Sequence, residues 1–136
     1  MAERFSTSLE PELLKQFDRF IDKNGYENRS EAVRDLIRRA LIAEEWEAGA
    51  EVVGVVTLVF DHHQRQLQDQ VTEAQHEFHH EVVSTTHVHL DHHNCLEVVI
   101  VRGKAGRVRE MAQRLIALRG VKDGHLTTTS TGRNLA

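Results

Sequence analysis

The hydrophobic pattern of this 136-residue chain changes period at Ala48-Gly49-Ala50, and that change constrains the fold more than any other feature. Before it, apolar residues recur at helical spacing. Leu13, Leu14, Phe17, Phe20 and Ile21 follow Pro11, and Ala32, Val33, Leu36, Ile37, Ala40 and Leu41 follow Ser30, the expected cap of a second helix reaching about Trp46. After it, Val52, Val53, Val55, Val56, Leu58, Val59 and Phe60 make a strongly apolar strand. The chain therefore reads as two units, residues 1–48 and 51–136.

Ahead of the first helix, Arg4, Ser6 and Ser8 alternate with Phe5, Thr7 and Leu9, the pattern of a short strand over residues 3–9. Asn24-Gly25 supplies the left-handed stop of that first helix. A strand-helix-helix unit of fewer than about 50 residues buries too little surface to stand alone, and a single strand leaves its backbone groups unpaired. Two copies pairing their strands antiparallel meet both demands. The resulting ribbon carries Arg4, Ser6 and Ser8 outward, on an element of the size that enters a DNA major groove.

In the second unit the strand at 52–60 precedes a polar helix over 62–80, hairpin strands at 82–90 and 95–102, a helix between Gly103 and Gly120, and a last strand from Val121 to about Thr131. The helix after Gly103 presents Val108, Met111, Ala112, Leu115, Ile116 and Leu118. Strand, helix, strand, strand, helix, strand is the ferredoxin-like order, with helices on one face of an antiparallel sheet and a bare face left for a ligand or another subunit. The fold class is α+β.

Two imidazoles converge within the hairpin, because His87 and His89 project from the same face of a strand while Val88 points away. A turn at Asp91-His92-His93-Asn94 brings Cys95 back beside them, and a thiolate with two imidazoles suits a late first-row transition metal. Ten histidines make chance spacings common, but Cys95 is the only cysteine. No intramolecular disulfide is open to it, and a lone thiol points to a reducing, cytoplasmic setting. A net charge of −4 excludes DNA binding by bulk charge, so any DNA contact is local. No stretch is long and apolar enough for a membrane span, and the N-terminus opens on charged and polar residues rather than a signal peptide.

The Arg-x-Ser-x-Ser-Leu strand, Gly25-Tyr26-x-Asn28-Arg29-Ser30-Glu31-Ala32-Val33-Arg34-Asp35, Gln75-His76, His87-Val88-His89, Cys95-Leu96-Glu97 and Arg119-Gly120-Val121-x-x-Gly124-His125-Leu126 together resemble the nickel-responsive repressor family (NikR). The resemblance covers nearly the whole chain. It implies a ribbon-helix-helix DNA-binding domain over 1–48 and a ferredoxin-like (ACT-type) domain over 51–136 that binds Ni(II) and tetramerises as a dimer of dimers. It further implies that Ni(II) enables operator binding and so represses nickel uptake.

Carried over by position, the resemblance implies three ligands from one subunit, His87, His89 and Cys95, and a fourth, His76, from a neighbour. Glu97 and Gln75 correspond to residues that orient the ligands. Arg4, Ser6 and Ser8 correspond to the base-reading positions, with serines where the family commonly has threonines. Asn28, Arg29 and Arg65 correspond to contacts with the phosphate backbone, with Gln64 where a lysine is usual. Glu31 and Asp35, four apart on one helical face, would hold a monovalent cation such as K+ with main-chain oxygens near Ile116, Leu118 and Val121; otherwise they are ordinary acids paired with Arg34, Arg38 and Arg39.

The other histidines carry less. His62, His63, His92 and His93 fall at element ends or turns, as solvated residues do, while His79 and His80 follow His76 on its helix and could form weak secondary sites. Two other function classes use part of the same residues: a metal buffer or chaperone needs the histidines and Cys95 but no ribbon, and a metal-independent ribbon-helix-helix repressor needs the ribbon but not Cys95. An enzyme fits least. Four protein donors leave no open position on a metal, and the sequence holds no nucleophile with a partnered base and no phosphate-cradling glycine loop.

Overall fold

In the computed structural model, which describes residues 1–136, the chain divides into two compact units, Met1–Arg39 and Ala40–Ala136. In the first, α1 spans Pro11–Asn24 and α2 begins at Arg29, running on to Glu47. Pro11 starts α1 where a missing N–H costs nothing, Glu12 and Lys23 suit its two poles, and Gly25 ends it with φ of 73°. The next amide, of Tyr26, closes the end by donating to the Ile21 carbonyl at 3.1 Å.

Two expectations for this unit need correction. Asn28, not Ser30, caps α2, because its Oδ1 accepts the Glu31 N–H at 2.9 Å while Ser30 already lies within the helix. Residues 1–10 form no strand in the single chain. A strand is defined by its ladder, and nothing in one copy supplies the paired edge that the alternation at 3–9 calls for.

The second unit is a four-stranded antiparallel sheet in the order β2-β3-β1-β4, with β1 Glu51–Asp61, β2 Val82–His89, β3 Asn94–Lys104 and β4 Val121–Thr129. Helices α3 (Arg65–Glu77) and α4 (Ala105–Ile116) intervene in the ferredoxin-like order. β1 is central and alternates strictly, with Val52, Val56, Leu58 and Phe60 fully buried. They meet Leu67, Val71 and Ala74 of α3 and Val108, Met111, Ala112 and Leu115 of α4 in one core. At Gly54 a Cβ would stand 2.7 Å from Val108 Cγ1 and 2.9 Å from Leu126 Cδ1, so only glycine lets α4 lie this close to the sheet.

Element ends shift by a few residues from the sequence reading. α3 is shorter than 62–80, since residues 78–81 leave the helix and fold as a turn. α4 stops at Ile116, which puts Leu118 outside it, and Gly103 lies inside β3 rather than ahead of the helix. On the sheet face away from the helices, Val53, Val55, Val59, Leu96, Val98 and Ile100 are only half-buried. No helix is long and apolar enough to cross a membrane.

Candidate metal centre

β2 and β3 pair with His87 opposite Glu97, Val88 opposite Leu96 and His89 opposite Cys95. Alternation along both strands therefore gathers His87, His89, Cys95 and Glu97 on the helix-covered face and sends Val88 to the other. The hairpin turn is held by Asp91, whose Oδ1 accepts the backbone N–H groups of His93 and Asn94, each at 2.8 Å. Those bonds and the Asn94 side-chain amide hold the Asp91 carboxyl down to about 2.

Cys95 is fully buried, and its S–H donates to the Phe60 carbonyl of β1 at 3.4 Å. Burial pushes its pKa up, and the charges of Glu97 and Asp61 add to the rise. The resting sulfur is therefore a thiol, and a metal must displace its proton to bind. His87 places Nδ1 3.6 Å from Glu97 Oε1, and its ring stands edge-on to Phe60. The His87 and His89 rings are 5.3 Å apart, and His89 leans against His62 at 4.7 Å.

Glu97 is the anomaly of the site. It is 8% exposed, and its Oε2 is buried with no hydrogen-bond partner. An orphaned carboxylate oxygen costs about 1–3 kcal/mol or more, so the group is tolerable where positive charge or a protonated imidazole answers it. A soft sulfur, two imidazoles and a carboxylate facing one imidazole are the donor set and support that Ni(II) takes. The residues fit the ion.

The structure brings the four expected ligands together only in part. His76 is exposed on α3, its ring stacked 5.9 Å from His79, while Gln75 beside it accepts the Thr85 hydroxyl at 2.7 Å and so ties α3 to β2. His87, His89 and Cys95 share a face, but the donors that all lie within 4.8 Å of one another are those of Asp61, His63 and His93. The Cys95 thiol is turned onto the Phe60 carbonyl. His63 and His93 are exposed, as expected of residues at element ends, and the Asp61-x-His63 spacing at the end of β1 is the sequence signal for their closeness to Asp61.

In the first unit Arg4, Ser6 and Ser8 lie exposed in the segment before α1. Asn28 spends its oxygen on the cap, whereas Arg29 is held by Asp18 through Nε and Nη2, both at 2.9 Å. That pair draws the Asp18 carboxyl below the usual carboxylate range, chiefly through the hydrogen bond from Arg29. Glu31 pairs with Arg34, and Asp35 accepts the Tyr26 hydroxyl and meets Arg39 at 3.1 Å, so both acids have local partners. In the second unit Arg65 opens α3 and shares a cleft with Gln64, Gln70 and Arg119. Ile116 ends α4, and the Leu118 carbonyl accepts the Val121 N–H at 3.1 Å.

Residues 53–129 match the family described as NikR C terminal nickel binding domain, and residues 3–44 match the family described as ribbon-helix-helix protein, copG family. A Desulfotalea psychrophila protein named "Putative nickel-responsive regulator" is 56% identical over 135 residues, covering 99% of each chain. Proteins of the same name from Geobacter metallireducens and Pyrococcus abyssi are 57% and 53% identical, each over 97% of this chain and 96% of its own. A solved structure of an uncharacterized protein from Thermotoga maritima superposes with a TM-score of 0.52 at 13% identity, over 57% of this chain and 96% of that one, a likeness of fold alone.

Proposed function

The chain belongs to the nickel-responsive regulator family, a family of regulators and not of enzymes, and on that premise we propose that it is a cytoplasmic, Ni(II)-dependent, sequence-specific DNA-binding repressor of nickel uptake. The observation that carries the reading is the buried Glu97 carboxylate beside His87, in a pocket whose other donors are His89 and Cys95. Glu97 Oε1 stands 3.6 Å from His87 Nδ1, and a carboxylate there favours a proton on that nitrogen, which would leave Nε2 as the donor atom toward a metal. His87, His89 and Cys95 would hold Ni(II), which when bound would supply a cationic centre in place of the thiol proton.

His76 is the fourth donor, given to the His87, His89 and Cys95 set of a neighbouring subunit. Its exposure on α3 supports this role. The half-buried valines on the open sheet face support assembly as a homotetramer, a dimer of dimers. In each dimer, residues 3–9 of two copies pair as a ribbon, so that Arg4, Ser6 and Ser8 read base edges while Asn28, Arg29 and Arg65 hold phosphates. Arg29 would exchange or share its Asp18 partner to do so.

The test is binding of a duplex enriched from a random pool, measured with and without Ni(II) at one salt concentration. Binding in Ni(II) only is expected. His76→Ala should abolish that dependence while the protein stays folded and tetrameric, and the duplex should tighten Ni(II) binding by the factor by which Ni(II) tightens the duplex. A metal buffer would show no duplex enrichment, and a metal-independent repressor would bind equally well without the ion.

A further inference from the structure

We propose that Arg107 and Arg114 of α4 are positioning residues that clamp the last turn of α3 and present His76 outward in one set orientation, toward the metal of a neighbouring subunit; the inference rests on the reading of His76 as the fourth donor. The side chains around His76 are taken up. Gln75 accepts the Thr85 hydroxyl of β2 at 2.7 Å, Glu77 receives the Arg114 guanidinium on both of its oxygens, with Nη2 reaching Oε1 at 3.1 Å, and Phe78 is buried in the core. The His76 ring keeps only its stack on His79. Arg107 and Arg114 leave one face of α4 about two turns apart. Arg114 takes the helix end, while Arg107 lies 4.2 Å over the centroid of the Phe78 ring and donates through Nε to Glu81 Oε1 at 3.2 Å. Glu81 closes the turn after α3: its N–H donates to the Phe78 carbonyl at 2.9 Å, and its carbonyl accepts the Arg102 N–H of β3 at 2.8 Å. The chain is thus tied to β2 just before His76 and to α4 just after it.

The last turn of a helix frays unless something holds it. α3 ends at Phe78 with φ of −104°, without a left-handed glycine, and Glu77 puts a negative charge where the helix dipole is already negative. Alone, that carboxylate loosens the turn; paired with Arg114, it anchors it. Glu81 adds a second constraint, because its side chain is only 17% exposed and its Oε2 is buried with no partner, so Arg107 is the cation that answers it. A donor offered to another chain gains most from such preorganisation. Its apparent affinity is the intrinsic affinity scaled by the fraction of time it stands in place, so a frayed turn would weaken the site even with His87, His89 and Cys95 intact. An exposed ion pair shifts such an equilibrium only about twofold to fivefold, and two acting on one turn about tenfold.

The experiment compares the full-length protein with Arg114→Ala, Arg107→Ala/Arg114→Ala and the charge swap Glu77→Arg/Arg114→Glu, by amide hydrogen exchange and by competition for Ni(II) against a chelator. In Arg107→Ala/Arg114→Ala, exchange at the His76 and Glu77 amides of the metal-free protein should quicken about tenfold and the Ni(II) Kd should rise about twofold to fivefold, with the sulfur-to-nickel absorption at saturation as in wild type. Arg114→Ala should show smaller losses of both kinds, and the charge swap should regain them. Either readout unchanged in Arg107→Ala/Arg114→Ala, or a charge swap no better than Arg114→Ala, would overturn the proposal. His76→Ala separates it from the reading beneath it. If that variant keeps the wild-type Kd, His76 is no donor and both fall; if it weakens Ni(II) binding while the arginine variants do not, the clamp alone falls.

Discussion

Within Ala40–Ala136 a single chain shields Val52, Val56, Leu58, Phe60 and Met111 completely, whereas within Met1–Arg39 only Ile21 and Ala32 are buried and Leu36, Leu13, Ile37 and Phe5 stand 40%, 46%, 48% and 69% exposed. Both segments are amphipathic; they differ in what closes their hydrogen bonds. The second unit pairs every strand with another of its own, so its helices have a finished surface to pack on. The first has two helices and an alternating segment with no ladder, and its apolar side chains have no second layer. The contrast teaches that the second unit is complete as a fold in one copy, while the first leaves its alternating segment unpaired and its apolar side chains exposed.

The largest effect expected from this contrast is in the finished core. Met111→Ala, at a fully buried site on α4, should cost about 2–5 kcal/mol in urea unfolding. A loss below 1 kcal/mol would mean that the unit relies on other chains for its core as well. Next comes Glu97→Gln, which keeps the shape and removes the charge facing His87. Nickel affinity should fall about 10–100-fold with unfolding little changed, and an unchanged affinity would make Glu97 a bystander.

Leu36→Ala sharpens the comparison from the other side. Its exposure in one copy predicts a small loss for the isolated chain, but if that face is buried in a dimer the unfolding midpoint should become more dependent on protein concentration. A concentration-independent midpoint in wild type and variant would show that the exposed face is simply solvated. The smallest effect is at Asp91. Its folded pKa of about 2 lies below the ordinary 3.8, so its contribution is present above about pH 4 and fades as pH falls toward 2. Asp91→Ala should flatten that part of the stability profile in urea titrations at stepped pH; an unchanged slope would assign the acid sensitivity elsewhere.

Much of the second unit was legible because its signals are local. The alternation of β1 and the His87-Val88-His89 spacing each depend on a period of two, which the chain carries in its own order. Asn28 displaced Ser30 as the cap because either residue can cap, and only the backbone angle at the first turn chooses. The ferredoxin-like order of elements was legible too, and the structure arranges its strands as β2-β3-β1-β4.

What the sequence determined alone was which residues share a strand or helix face, His87 with His89 on one strand and Cys95 with Glu97 on the next. What only the tertiary structure decided was register and depth. The pairing of β1 with β3 buries Cys95 against the Phe60 carbonyl, orphans one oxygen of Glu97, and sets Asp61 and His63 beside His93, which lies far along the chain from both. Faces are a property of local periodicity, but contacts between distant segments depend on which edge meets which and how far each slides, and no local pattern encodes that slide.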